Sequence, residues 1–466
     1  MKDQMKEISE QKATLTRREF LGASAFATAA FTIVPRHVLG GPGYVAPSDK
    51  LNIACVGVGG KGRSDVANVS TENIVALCDV DDEQMAGTLK AARQENLPHA
   101  DMLERATKYR DFRTMLDTES GIDAVTVSTP DHTHAVIALA AMRMGKHVFV
   151  QKPLTHTIQE ARTLAKVAKE MKVVTQMGNQ GHASEEARLI NEWIADGAIG
   201  EVKEVHCWTN RPIWPQGIQR PAEIPSLPST LAWDLWIGPA PFRAYHPAYA
   251  PFRWRGWCDF GTGVVGDMGA HIMDPPYWAL QLEFPETIQA SSTKFNGETY
   301  PLASTIQFHF PARGKMPAVD LTWYDGGIMP KRPEELEEGR RMGNDDGGAL
   351  FIGKKGKLMC GCYGKSPRLI PETRMKEFKL PPKTIPRSPG ITEEWIAAIK
   401  NGTPTMSNFD YAAKLTETML LGNIALRLSE KNVILKYDNL KMTFTNMPEA
   451  DQYLSREYRP GWSLIS

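Results

Sequence analysis

Residues 51–62 read Leu-Asn-Ile-Ala-Cys-Val-Gly-Val-Gly-Gly-Lys-Gly, an apolar strand that runs straight into Gly57-x-Gly59-x-x-Gly62. A helical pattern follows, and a second apolar run, Ile74 to Cys78, ends in Asp79, 22 residues beyond Gly57. Gly57 permits the tight turn, Gly59 lets backbone N–H groups approach a pyrophosphate, and Gly62 allows close helix–strand packing. The helix N-terminus adds partial positive charge for the phosphates. Asp79 can accept hydrogen bonds from a ribose diol and would repel a 2′-phosphate. Neither Val80, Asp81 nor Asp82 is basic, so the spacing predicts NAD rather than NADP. A lone glycine fingerprint is weak evidence, but here strand, helix and acidic residue all agree.

Outward from that turn the alternation continues. Strand-like runs Asp123–Ser128, His147–Val150 and Val173–Met177 are each followed by a helical pattern. Such alternation means a mostly parallel sheet with ligands at the strand C-terminal ends. The turns after Val56, Cys78, Ser128, Val150 and Met177 should face the cofactor. The candidate cofactor residues are therefore Gly57, Gly59, Gly60, Lys61, Gly62, Arg63, Asp79, Thr129, Pro130, His132, Gln151, Lys152 and Asn179.

Two further stretches resemble a known family. Ala-Met-Arg-Met-Gly-Lys-His-Val-Phe-Val-Gln-Lys-Pro-Leu at 141–154 is similar to the aGKHVlcEKPl segment of the Gfo/Idh/MocA oxidoreductases. Gly-Thr-Gly-Val-Val-Gly-Asp-Met-Gly-Ala-His-Ile-Met-Asp at 261–274 resembles their GGGxlxDxGxHxxD segment. The resemblance runs from about residue 50 to the C-terminal helices. It implies an α/β chain: a Rossmann domain (51–178), then an α+β domain (179–450) with an open, mostly antiparallel sheet that often forms a dimer interface. It also implies dimers or tetramers, and places Lys152, Asp267 and His271 around the nicotinamide and the substrate carbinol.

Oxidising an alcohol needs a proton acceptor and a donor or cation for the developing alkoxide. An imidazole, with its ordinary pKa of about 6.5, suits the acceptor, so His271 is expected as base. Asp267, one turn earlier, is expected to orient it or to bind a hydroxyl, and Lys152 to polarise the alcohol oxygen. An isolated Lys-Pro is more often an exposed loop, and an isolated Asp-x-x-x-His a solvated helix pair. It is the family context that raises these residues above that reading. One departure stands out: the usual Glu of the EKP motif is Gln151, which removes a negative charge beside Lys152. A metal site built from Asp267, His271 and Asp274 lacks a nearby cysteine or second histidine, so no metal is expected.

Between His206 and Trp257 lie six of the eleven tryptophans, with Arg211, Arg243, Arg253 and Arg255 interleaved. Aromatic faces suit the C–H side of a pyranose and arginines its hydroxyls, although most such rings pack in cores. The candidate substrate residues are His182, Trp214, Arg253, Trp254, Asp267 and His271. Further strand-like runs are Val202–Thr209, Thr287–Lys294, Ser304–Phe310, Ala318–Trp323, Ala349–Ile352 and Lys357–Cys360. Glu335–Gly347 reads as a polar surface excursion. Helical patterns return at Thr392–Lys400 and Asp410–Ser429, and 451–466 reads as a tail.

At the other end, Thr16-Arg17-Arg18-Glu19-Phe20-Leu21 precedes an apolar run from Leu21 to Val34. Fourteen residues span about 21 Å, short of a bilayer core of about 30 Å. The pattern matches a twin-arginine export signal over 1–40, with 41–50 a linker or arm, and predicts an exported, periplasmic protein. The 466 residues carry 54 basic and 54 acidic side chains, which removes the electrostatic argument for nucleic acid or an anionic membrane as partner. Six scattered cysteines, none in C-x-x-C, exclude a disulfide scaffold or a zinc ribbon.

Three functions follow. The first is an NAD(H)-dependent oxidoreductase acting on a secondary hydroxyl of a sugar, glycoside or polyol, with tightly bound cofactor. The second is a redox-neutral glycosidase or lyase working through a transient keto-sugar. NAD-dependent glycosidases related to this family do not keep the EKP lysine, which Lys152 retains. The third is a carbohydrate-binding protein that kept only the fold.

Overall fold

The computed structural model describes residues 49–464. The expected export signal and most of the expected 41–50 arm fall outside the described residues. The first sheet holds six strands: β1 (Asn52–Val56), β2 (Asn73–Cys78), β3 (Thr107–Tyr109), β4 (Ala124–Val127), β5 (His147–Val150) and β6 (Thr175–Met177). All neighbouring pairs are parallel, in the order β3-β2-β1-β4-β5-β6. Buried on both faces, β4 reads Ala-Val-Thr-Val without polar alternation, as a two-sided parallel strand should. The order reverses between β1 and β4, and ligands bind outside the strand ends at that reversal.

Gly57 has φ +77°, and its N–H donates to the Cys78 carbonyl at 2.8 Å, so the turn closes between β1 and β2. At Gly62 a Cβ would sit 1.9 Å from the Gly57 carbonyl oxygen, so only glycine lets the following helix, Lys61–Asn68, approach.

The second sheet has nine strands: β7 (Val202–Thr209), β8 (Thr287–Ser292), β9 (Ser304–Phe310), β10 (Val319–Tyr324), β11 (Gly347–Gly353), β12 (Gly356–Gly361), β13 (Arg368–Ile370), β14 (Leu435–Asp438) and β15 (Thr443–Phe444). Their order is β13-β12-β11-β7-β10-β9-β8-β14-β15, antiparallel throughout except for the parallel pair β7/β10. In β9 alternate residues Ser304, Ile306, Phe308 and Phe310 are buried, so one face packs and the other stays open. The packed face meets the helices Gly263–Ile272 and Phe409–Arg427.

Three expectations change. The 335–347 excursion buries Leu336 and Met342 against Trp208, Leu350 and Met359, so it is part of the packing and not a free loop. The helix Ile391–Asn401 belongs to the first sheet's core: Trp395 meets Phe149 of β5 edge-on at 5.7 Å. Residues 451–464 do not trail away, because Arg456 donates to the His132 carbonyl and pairs with the buried Glu160. All six tryptophans between 208 and 257 are buried, most of them in a cluster with Tyr249 and Phe260. No described helix is long and apolar enough to cross a membrane.

Candidate active site

A cavity of about 810 Å³ opens at the strand reversal. Four of the five expected turns line it, through Gly57, Gly59, Gly60 and Lys61, then Asp79, then Thr129 and Pro130, then Gln151 and Lys152. Burial pushes the Asp79 carboxyl up, while N–H groups of Asp81, Val58 and Gly59 donate to it and oppose that rise. The cradle suits a dinucleotide: open glycine backbone, a helix N-terminus and an acidic residue at the end of β2. Arg110 also reaches the wall, from the end of β3, but its guanidinium forks onto Asp82 and is already paired.

At the other end Lys152 Nζ donates to Asp267 Oδ1 at 2.7 Å and to the Asp267 carbonyl at 2.8 Å. Arg255 Nε lies 3.5 Å from the same carboxylate oxygen, and its guanidinium packs 4.3 Å over Trp254, which also lines the cavity. Burial alone would raise the Asp267 carboxyl, but Lys152 and Arg255 outweigh it and hold the group below the usual carboxylate range. The anionic neighbour that Gln151 no longer provides is therefore supplied across the cavity by Asp267.

Gln151 itself has a different partner. Its Nε2 donates to Asp65 Oδ2 at 2.8 Å, as does Ser128 Oγ at 2.7 Å, and Lys61 Nζ donates to Oδ1 at 2.6 Å. Asp65 is buried, so a Glu at 151 would set two carboxylates against each other. The motif's departure is matched by this aspartate.

His271 lies one turn beyond Asp267 and is not part of the cavity wall. Its ring centroid is 4.4 Å from that of Tyr363, and its buried Nδ1 has no hydrogen-bond partner. Burial, reinforced by Lys152, pushes the imidazole well below its ordinary value, so it is neutral near pH 7. Tyr363 holds φ +66°, a left-handed conformation uncommon outside glycine and a form of strain that clusters at functional sites.

Several expected residues are elsewhere. His132 is sealed between the carbonyls of Phe260 and Trp236, which occupy both ring nitrogens, so it cannot reach the nucleotide. His182 is buried against Asp274 at 3.0 Å and stacks on Trp278, away from the cavity wall. Asp274 is thereby turned to His182 and Tyr411 rather than to Asp267. Among the described residues no group of three or more His, Cys, Asp or Glu could hold a metal ion. Trp214 is core, its Nε1 bonded to Gln216. Arg253 is exposed and outside the wall. Arg63 turns to Thr88, and Asn179 accepts from Ser407 beneath the sheet. Their motif neighbours suggested a site, but fold contacts claimed every one of these side chains except Arg253, which points to solvent. Phe112 and Trp462 carried no local signal, because packing between distant segments brings them to the wall, and Asp65 acts on the site through Gln151 and Lys61.

The fold and this cavity define an NAD-binding oxidoreductase-type protein. The pattern for the oxidoreductase family's NAD-binding Rossmann fold matches residues 51–179, and that for its C-terminal alpha/beta domain matches 201–464. The chain belongs to the Gfo/Idh/MocA oxidoreductase family. It is 33% identical over 165 residues to levoglucosan dehydrogenase of Pseudarthrobacter phenanthrenivorans, across 35% of this chain and 34% of that protein. It is 28% identical over 207 residues to a glycosyl hydrolase family 109 protein of Shewanella pealeana, across 40% of this chain and 44% of that protein. The chain thus spans well under two thirds of these curated relatives. The crystal structure of an NAD-binding protein from Listeria innocua shares the fold at 17% identity and TM-score 0.55, over 83% of this chain and 97% of that one.

Proposed function

We propose that this protein exchanges a hydride between bound NAD(H) and a secondary carbinol of a sugar, glycoside or polyol. The observation that carries it is the Lys152–Asp267 pair at the cavity wall. The glycine turn and Asp79 would hold the dinucleotide, whose nicotinamide would supply the hydride acceptor. Lys152, held by two oxygens of Asp267, polarises the carbinol oxygen and exchanges its proton. This moves the proton from the imidazole expected from the sequence to the lysine. The carbinol proton ends on Lys152 Nζ, where Asp267 holds the resulting ammonium, and His271, outside the wall and disfavoured as a cation, stays neutral. Trp254 and Arg255 present a flat ring and a charged donor to the substrate.

The redox-neutral cleavage of glycosides is the second reading, favoured by the hydrolase-named relative. The lysine in place at the wall supports plain dehydrogenation instead. We further propose export by the twin-arginine route with nucleotide already inside, since no free nicotinamide pool exists outside the cytoplasm. The test is to purify the protein without added nucleotide, denature it and identify what is released. Glycosides are then added while absorbance at 340 nm and free aglycone are followed. Reduction of NAD without aglycone supports dehydrogenation, and aglycone without net NADH supports the second reading. Lys152→Ala should lower turnover by about 10²–10⁴-fold with nucleotide still bound.

A further inference from the structure

Asp79 marks the adenosine end of the cavity, and the wall opposite it is not built by the Rossmann domain. Asp81 and Leu231 form an antiparallel bridge. Ala232 N–H donates to the Val80 carbonyl at 2.8 Å, and Asp82 N–H to the Thr230 carbonyl at 3.1 Å. A piece of the second domain is thus laced onto the turn that carries the ribose-binding carboxylate. Arg110 adds a donor to the same Thr230 carbonyl at 3.2 Å.

A second segment fastens the first. Arg459 donates to the Gly238 carbonyl at 3.0 Å and to the Asp234 carbonyl at 2.8 Å, and it also pairs with the Asp234 carboxylate. Arg456 and Tyr458 anchor the same segment on the buried Glu160, each at 2.6 Å. Three residues beyond Arg459, Trp462 reaches the cavity wall. Its ring lies 6.1 Å from that of Phe112, which opens the helix after β3, and the Arg113 guanidinium sits 4.6 Å over it. Val80, Phe112, Ile137, Leu231 and Leu235 line the cavity with it, an apolar slot of the kind a purine fills.

We infer that residues 228–236 and Trp462 complete the adenine-binding end of the nucleotide site and slow the release of the dinucleotide. The inference rests on the reading of the cavity as a nucleotide site, and not on which carbinol is oxidised. Neither segment contributes to the glycine turn or to the Lys152–Asp267 pair, so the clamp can be loosened without touching the chemistry. Leaving requires the Arg459 contacts to open or Trp462 to swing aside.

The test uses the full chain and three probes: NADH, ADP-ribose and reduced nicotinamide mononucleotide, which lacks the adenosine. Stopped-flow displacement gives NADH release, and titration gives affinity for each probe. Trp462→Ala should weaken NADH and ADP-ribose alike, by about tenfold or more for the loss of an aromatic face on a base, and leave the mononucleotide unchanged. Arg459→Gln should speed NADH release while its thermal transition stays near that of the parent, which guards against a folding defect in the first variant. Unchanged NADH release in both variants overturns the clamp, as does an equal loss of all three probes in Trp462→Ala. A parent protein that binds neither NADH nor ADP-ribose overturns the nucleotide reading itself. One that binds both but shows no sugar-dependent reduction leaves the clamp supported and removes the proposed activity.

Discussion

At the scale of single residues, the charge arrangement around Gln151 sets the first expectation. Asp65 accepts from Lys61, Ser128 and Gln151 at once, and a buried carboxylate needs every one of those donors. Gln151→Glu should lower both thermal stability and NAD affinity, by about 1–3 kcal/mol for an unpaired buried polar group. Adding Asp65→Asn should restore much of each. Calorimetry and NAD titration of the single and double variants measure this, and a fully stable Gln151→Glu with unaltered affinity would falsify the pairing. His132 gives a pH expectation. Burial, with Arg456 nearby, depresses its pKa from 6.5 to about 3. The unfolded chain therefore takes up the proton first, and the folded state loses stability as pH falls from about 6.5 toward 3. Relative to His132→Asn, the parent should lose about 1.4 kcal/mol per pH unit in that window. Parallel denaturation curves at pH 7, 6 and 5 check the slope. The glycine fingerprint and Asp79 were readable because local spacing fixes them, whereas Lys152 and Asp267 were readable only through the family resemblance of the segments that carry them. His132, His182 and Trp214 were not, since a histidine or tryptophan beside a motif looks the same whether it faces a ligand or a distant carbonyl.

Among the elements, the helix Gly263–Ile272 carries Asp267 into the site, and its start is tied to the Rossmann domain. Thr262 donates to Asp131 from its backbone N–H at 3.0 Å and from its hydroxyl at 2.7 Å. Burial pushes the Asp131 carboxyl up, so losing a donor there is costly. Thr262→Val should destabilise by about 1.5–3 kcal/mol, as for a hydrogen bond to a charged group. It should also lower kcat more than it alters NAD affinity, because it shifts Asp267 and not the glycine turn. Steady-state kinetics beside a nucleotide titration separates the two, and an equal loss in both would count against the helix being the positioning element. The alternation of strand and helix made the first sheet legible as parallel, but not its strand order or its edge strand β3. The parallel β7/β10 pair was not, for apolar periodicity marks a strand's faces and says nothing of its neighbour. The same holds for helix Ile391–Asn401, whose apolar stripe fits either domain until Trp395 is seen on Phe149.

For the whole molecule, one hydrophobic cluster runs through both sheets, from Val125 and Val148 to Ile306, Phe308 and Leu321. Arg162 of the first domain forks onto the buried Glu417 of the helix Phe409–Arg427, with Nε and Nη2 at 2.7 and 2.5 Å. Cooperative units follow shared cores more than topological labels. Residues 51–464 are expected to unfold in a single calorimetric transition, coincident by far-UV circular dichroism and tryptophan fluorescence. Two resolved transitions would show that the halves are energetically independent.

The return of the chain to its first domain also bears on synthesis. The ribosome releases β1 and its glycine turn some four hundred residues before Trp462 and Arg459. While the chain is still growing, it lacks both the wall beside Asp79 and the helix Ile391–Asn401 that completes the core of the first sheet. Nucleotide acquired on the ribosome would be held by half a site, so lasting capture has to wait until translation has passed Trp462. On the clamp inferred above, loading then follows the synthesis of residues 228–236 and Trp462 and precedes any passage of the folded protein through a membrane pore.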